Sequence, residues 1–337
     1  MKIINQITKI FAALSVLLVA SCSNDDEVTI ERLPTAYEYI QKNSDSSIFL
    51  AAATKTGQLA TLRGTSIFTL FVPSNSAFTA YVSTNFPSGI TLANFSTTAP
   101  ALTAGQISEL NKIIGYHFVS LAKNSSEFNN VFLKTYARYE PSLTSPSSSF
   151  NALNMFVSNS GSVKVNNYAT VTEGNINVSN GYIHKIDKVL VLPKVSDLIS
   201  YHPDLTTFSS AITANPSVSS VISGAGPITV YAPTNAAFSA LYATSFVTSA
   251  NTLDVIRYHY ETTFRPAALN TTSASFLAPT ATANVTVATA LTGKSFTIRR
   301  NGYKIVDFNN TEGNIIINSV TGTNGTLNVI DYVMKPF

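Results

Sequence analysis

FTLFVPSNSAF (68–78) and ITVYAPTNAAF (228–238) follow one eleven-residue pattern. Each opens on a run of β-branched and aromatic residues, Ile67–Val72 and Ile228–Ala232, which reads as a buried strand. Pro73 and Pro233 end the run, because proline has no N–H to give a ladder. The pairs Ser74-Asn75 and Thr234-Asn235 then offer side-chain oxygens to the free N–H groups of a helix expected to begin at Ser76 or Ala236. Phe78 and Phe238 fall on the first turn of that helix and are expected in the core.

Further matches lie on either side. LPTAYEYIQKNSDSSIFLAAAT (33–54) aligns without a gap on LPKVSDLISYHPDLTTFSSAIT (192–213), and IIGYHF (113–118) on VIRYHY (255–260). EGNINV (173–178) matches EGNIII (312–317), and NGYIHKIDKVLVLP (180–193) matches NGTLNVIDYVMKPF (324–337). In chain order the offsets of the five pairs, 33 to 192, 68 to 228, 113 to 255, 173 to 312 and 180 to 324, are 159, 160, 142, 139 and 144. An internal duplication follows. The fall from 160 to 142 gives the first repeat about eighteen extra residues between 79 and 112, and FPSGITLANFSTTAPALTAG reads there as an inserted surface loop. The division is 33–193 and 194–337, joined at Leu192-Pro193-Lys194 without a Gly/Ser linker. Two docked domains with little hinge freedom are expected, each long enough to fold on its own core.

Each repeat is helical first and stranded later. Tyr37, Ile40, Phe49 and Leu50, answered by Val195, Leu198, Ile199 and Phe208, fit one short amphipathic helix leading into another. The second halves, 153–193 and 284–337, alternate with the turn signals Asn159-Ser160-Gly161, Asn180-Gly181, Asn301-Gly302 and Asn324-Gly325. They read as antiparallel meanders.

Composition removes several function classes. Charged residues are 12% of the 337 and the net charge is +3, too little cation for the phosphate contacts of nucleic-acid binding. The hydrophobic share of 45% excludes wholesale disorder. One cysteine excludes a disulfide framework and a CxxC zinc site, and four histidines without HExxH or HxH argue against a resident metal. No GxSxG elbow, Walker loop or GxGxxG is present, so neither catalysis nor a cofactor is expected. There is no tryptophan, but 15 tyrosines are available to stack on sugars.

The N-terminus reads as an address. Lys2 and Lys9 flank the start of the apolar run IFAALSVLLVA (10–20), which is too short to span a bilayer. It stops at Val19-Ala20-Ser21-Cys22, which resembles the lipobox of bacterial lipoproteins, with residues 1–21 as signal peptide and Cys22 as the lipidated residue; an ordinary signal peptide is the alternative. Loss of Lys2 and Lys9 takes the charge from +3 to +1, leaving acyl chains rather than electrostatics as the hold on a membrane. Residues 22–32, with Ser23-Asn24-Asp25-Asp26-Glu27, read as a polar acidic tether, and the segment resembles a surface-export signal of some Gram-negative phyla. An outer-membrane lipid anchor facing the cell exterior is expected, with a periplasm-facing anchor as the alternative.

The paired FTLFVPSNSAF and ITVYAPTNAAF blocks, the Tyr-His pairs, and NGYIHKIDKVLVLP closing the unit resemble the fasciclin-like adhesion domain, twice over. The resemblance implies an α+β fold: two fasciclin-like domains, each a twisted antiparallel β-wedge with a cluster of short helices. It also implies a secreted or surface-anchored, non-catalytic adhesion protein recognising an extracellular protein or glycan. Two other readings stay open: an accessory lipoprotein that captures glycans for an outer-membrane uptake complex, and a structural envelope or biofilm-matrix protein.

Candidate binding residues are Tyr116, His117, Tyr258 and His259, because a Tyr-His pair with branched apolar flanks is linked to integrin contact in animal relatives. Against this, Leu110, Ile113, Ile114 and His117 share one helix face, so the imidazole is expected rather to cap or plug the core. The aspartate-isoleucine integrin motifs of some relatives are absent. Pro73, Asn75, Phe78, His184, Asp187, Pro233, Asn235, Phe238, Asn328 and Asp331 are read as scaffold. His184 meets Asn328 at the same position of the second repeat, which fits a shared hydrogen bond rather than catalysis. Asp187 and Asp331 recur and are read as anchors for a neighbouring backbone N–H.

Overall fold

A computed structural model describes residues 32–85, 90–95, 101–139, 152–242, 251–265, 284–299 and 303–337. Contacts divide the chain at Leu33/Pro34, and Pro34–Phe337, with both repeats, forms one unit. The first repeat runs α1 (Ala36–Lys42), α2 (Ser47–Lys55), α3 (Leu59–Arg63), β1 (Phe68–Pro73), α4 (Asn75–Asn85), α5 (Ala104–Tyr116), β2 (Phe118–Val119), β3 (Val131–Arg138), β4 (Ala152–Asn159), β5 (Val163–Val165), β6 (Ala169–Val178) and β7 (Gly181–Ile186). The second runs α6 (Val195–Tyr201), α7 (Thr206–Thr213), α8 (Pro216–Ile222), β8 (Ile228–Pro233), α9 (Asn235–Tyr242), α10 (Thr252–Tyr258), β9 (Tyr260–Glu261), β10 (Val285–Ala288), β11 (Ser295–Arg299), β12 (Lys304–Val306), β13 (Glu312–Gly322) and β14 (Gly325–Ile330).

The meanders are antiparallel from β3 to β7 and from β10 to β14. Each then closes on its repeat's first strand in parallel, β7 on β1 and β14 on β8. This parallel closure is not in the local pattern of either segment. In the first repeat a Val119–Thr135 pairing completes a barrel, whereas the second remains a seven-stranded sheet ending at β9 and β10. All six residues of β1 and of β8 are buried, as uninterrupted apolar strands should be.

The helix after each proline begins at Asn75 and Asn235, one residue earlier than expected. Ser74 and Thr234 cap it, their hydroxyls accepting from Ala77 N–H and Ala237 N–H. Asn75 and Asn235 do a different job. Asn75 Oδ1 accepts Ile48 N–H at the start of α2 and its amide donates to Ser44 O; Asn235 repeats this with Thr207 N–H and Pro203 O. The asparagine therefore locks two helices together. Phe78 is fully buried and Phe238 nearly so, the first edge-on to Phe95 and the second against Phe208.

Phe95 and Ile90 belong to the insertion, so its reading as a surface loop needs correction: the Phe95 ring and the Ile90 side chain enter the first core. Composition rich in Pro, Ser and Thr hides two apolar residues that suffice to pin a 3₁₀ turn, Leu92–Phe95, onto α4. Asn301-Gly302 lies outside the described residues, as does Cys22.

The repeats keep separate cores but share a junction. Thr321 N–H of β13 donates to Asn154 Oδ1 of β4 at 2.9 Å, with both residues buried. His202 stacks on Phe132 and tilts against Phe156, with centroids 5.5 and 5.4 Å away, and Tyr139 stacks on Phe264 at 4.3 Å. Phe132 packs on the second core and Phe264 on the first. These contacts join the two repeats side by side, while each keeps its own core.

Candidate functional site

The Tyr-His pairs are wholly interior. Tyr116, His117, Tyr258 and His259 are each 0% exposed, so none presents a surface to a partner in this fold. His117 caps α5, with Nδ1 against Ile113 O at 2.8 Å, while Nε2 accepts Leu190 N–H at 3.1 Å. His259 repeats both bonds with Val255 O at 2.6 Å and Met334 N–H at 3.0 Å. Because Nε2 accepts, the proton of the neutral ring sits on Nδ1 and donates to the carbonyl. Burial depresses both imidazoles to about 4, with the helix carbonyl opposing.

His184 is buried between Phe71 and Phe128; its Nδ1 accepts Asn175 N–H and its Nε2 faces Lys123 O. Asn328 Oδ1 accepts Ser319 N–H at 3.0 Å in the second repeat. Asn175 and Ser319 both have left-handed φ, 59° and 53°, at bulges of β6 and β13. One hydrogen-bonding task, closing a bulge, thus accounts for both residue types. Asp187 and Asp331 each accept a backbone N–H, from Thr170 and Asn314, both at 2.7 Å, and Asp331 also accepts the Asn314 side-chain amide. These four residues, with Asn75 and Asn235, are bonded within the fold, and Pro73 and Pro233 end buried strands.

The pairs Asn180-Gly181 and Asn324-Gly325 do more than turn. Asn180 Oδ1 accepts Ala36 N–H while its amide donates to Leu62 O and Gly64 O; Asn324 does the same with Val195, Ile222 and Gly224. A single buried side chain therefore holds the helical half of each repeat to its closing strand. Gly181 and Gly325, at φ 133° and 159°, have no room for a Cβ against Phe68 O and Ile228 O.

The motif residues are thus occupied inside, and the concave surface lies elsewhere. An open cleft of about 480 Å³ lies where the repeats meet, lined by Asn167, Tyr168, Val191, Asp197, Ser200 and Tyr201. The first repeat supplies the Asn166-Asn167-Tyr168 turn and the second the helix α6. Asn166 Nδ2 donates to Tyr116 Oη, whose hydroxyl donates to Asn154 O, and Asn154 Oδ1 holds Thr321 of the other repeat. Tyr116 is thus a buried support of the cleft. Asn167 Nδ2 donates to Tyr201 O at 3.0 Å, bridging the repeats at the cleft itself.

Tyr168 is 42% exposed, with Lys188 Nζ 4.5 Å over its ring. Its other side borders a recess of about 200 Å³ between α4 and Asp187. Desolvation, then the Asp197 charge, pushes the Tyr201 phenol up to about 12, which keeps it protonated near neutral pH. Two tyrosines, an amide, a hydroxyl and a carboxylate make a polar site with aromatic faces, and no described histidine lines it. Nothing in local periodicity marks these residues; an exposed tyrosine in an Asn-Asn turn is the only signal. Among the described residues no cluster of three His, Cys, Asp or Glu could hold a metal, and no helix is long and apolar enough to cross a membrane.

The fasciclin domain family matches residues 44–193 and again 203–336. The chain belongs to the fasciclin family. Both matches begin after the first helix of each repeat, yet Asn180 and Asn324 fasten α1 and α6 to the closing strands, so those helices are part of the fasciclin fold here. A solved FAS1 domain pair from the insect cell adhesion molecule fasciclin I is similar in fold, with a TM-score of 0.50 and 16% identity over 87% of this chain and 98% of that one. No curated protein matches. Tandem fasciclin domains are of a class that typically adheres and binds and is generally not enzymatic.

Proposed function

We propose that this fasciclin pair is a non-catalytic, lipid-anchored binding protein of the cell surface, engaging an extracellular protein or glycan through the cleft between its domains. The observation that carries this reading is the cleft itself. It is an open concavity with aromatic faces and a few placed polar groups, supported by a buried hydrogen-bond chain that spans both repeats. Glycan and matrix-protein arrays probed with residues 34–337 test it. Capture of a ligand other than an acidic glycan should weaken about tenfold or more with Tyr168→Ala and Tyr201→Ala together, while the melting temperature is kept. Equal capture by wild type and variant would move the site elsewhere.

The anchor rests on Cys22 and the run preceding it. Acyl chains at ~0.8 kcal/mol per buried CH₂ hold a chain whose side chains bring little charge of their own. Cys22→Ser should leave an unprocessed precursor or release soluble protein, and fractionation should find it depleted from the membrane. Retention at the wild-type level would contradict lipidation. Protease treatment of intact cells distinguishes display on the outer face of an outer membrane from a periplasm-facing anchor.

A further inference from the structure

Cations are scarce in this chain, yet three converge on one groove of the first domain. Lys112 comes from α5, and Lys134 and Arg138 come from β3; the groove between these elements measures about 490 Å³. Along β3 the side chains alternate, and Lys134, Tyr136 and Arg138 fall on its outward face with Thr135 and Ala137 buried. Tyr136 stacks on Phe118 at 5.5 Å and 17°, which fixes its ring as a rigid floor. Gln58 Nε2 donates to Asn111 Oδ1 at the same rim, leaving a pre-oriented amide pair.

The duplication supplies an internal control. Scaffold features recur in both repeats, whereas these cations do not recur at the described positions that correspond. Asp254 stands where the alignment of 113–118 with 255–260 places the counterpart of Lys112. The exposed positions of β10, the counterpart of β3, are Thr286 and Ala288. The fold therefore does not need the cations. Each of the three has a partner within the fold already, as has Glu109, the acidic residue of α5. An anionic ligand would add to or exchange with those contacts.

We infer that the α5–β3 groove of the first domain binds an acidic glycan, one bearing carboxylate-substituted sugars. Carboxylates meet Lys112, Lys134 and Arg138; a ring face rests on Tyr136; hydroxyls bond the Gln58–Asn111 amides. Three cations are too few for a nucleic acid, whose binding rests on many phosphate contacts. The amides and the fixed ring favour sugar over acidic peptide. This site is separate from the junction cleft.

Calorimetric titration of the full chain with tetragalacturonate tests it, beside the fully methyl-esterified form, which keeps shape and loses charge. The acid form should bind, more weakly as salt rises, and the ester at least ~10-fold more weakly. Lys134→Gln with Arg138→Gln should weaken binding ~100-fold with unchanged melting, and Lys112→Asp, the residue of the second repeat, should act in the same direction. Tyr168→Ala with Tyr201→Ala should leave this titration as it is, so failure here and failure at the cleft are told apart. No binding of the acid form, equal binding by the ester or by the double glutamine variant, or displacement by poly-glutamate at equal concentration would each overturn the inference.

Discussion

Asn324→Ala should cost the second domain about 3–6 kcal/mol, enough to leave a domain of ordinary stability largely unfolded at moderate urea. The loss comes from three orphaned groups rather than from the side chain's own area. Val195 N–H, Ile222 O and Gly224 O all lose their partner, and each buried unsatisfied group costs about 1–3 kcal/mol. Asn324→Asp should be nearly as damaging, because it keeps the acceptor for Val195 but turns a carboxylate oxygen onto two carbonyls. Asn180→Ala should weaken the first domain in the same way through Ala36, Leu62 and Gly64. Urea unfolding followed by circular dichroism reads the change; a loss under about 1 kcal/mol would mean that the helices hold without the clamp.

Acid should unfold the protein well before its carboxylates are exhausted. All four histidines, His117, His184, His202 and His259, are held below the usual imidazole value, chiefly by burial. For His117 and His259 a second cause adds to it: a protonated ring would point Nε2–H at the N–H of Leu190 or Met334. The unfolded chain therefore takes up protons at pH 6.5 that the folded chain refuses until about 4. Stability is complete above pH 6.5 and falls as pH drops through that window, by about 3 kcal/mol for each of the two, at ~1.4 kcal/mol per pH unit per group. His117→Ala or His259→Ala should lower stability at pH 7 and flatten this acid slope by one proton. A slope unchanged by either substitution would place the acid sensitivity elsewhere.

Much of the architecture was legible because it was written twice. The strand, proline, cap and helix at 68–78 and 228–238 are local, and local chemistry is what a sequence displays. The shared role of His184 and Asn328 was legible through the duplication, since only a hydrogen bond is common to imidazole and amide. Other features depend on partners far along the chain. Asn75 reaches 27 residues back to Ile48, and Asn180 reaches 144 residues to Ala36. Neither distance leaves a periodic trace, so one was read as a cap and the other as a turn. The parallel closure of β7 on β1 is hidden for the same reason. The junction cleft needs Asn167 and Tyr201, which meet across the repeat boundary, and no pattern within either repeat announces it.

On the function proposed above, the motif residues that recur in both repeats are scaffold and binding belongs to the surface between the domains. Amide hydrogen exchange on residues 34–337, with and without an array-captured ligand other than an acidic glycan, tests it most directly. Protection should rise in Asn166–Tyr168 and Asp197–Tyr201, while α5 and α10, which carry the Tyr-His pairs, stay unchanged. Protection confined to Tyr116-His117 or Tyr258-His259, with the cleft unaffected, would contradict it.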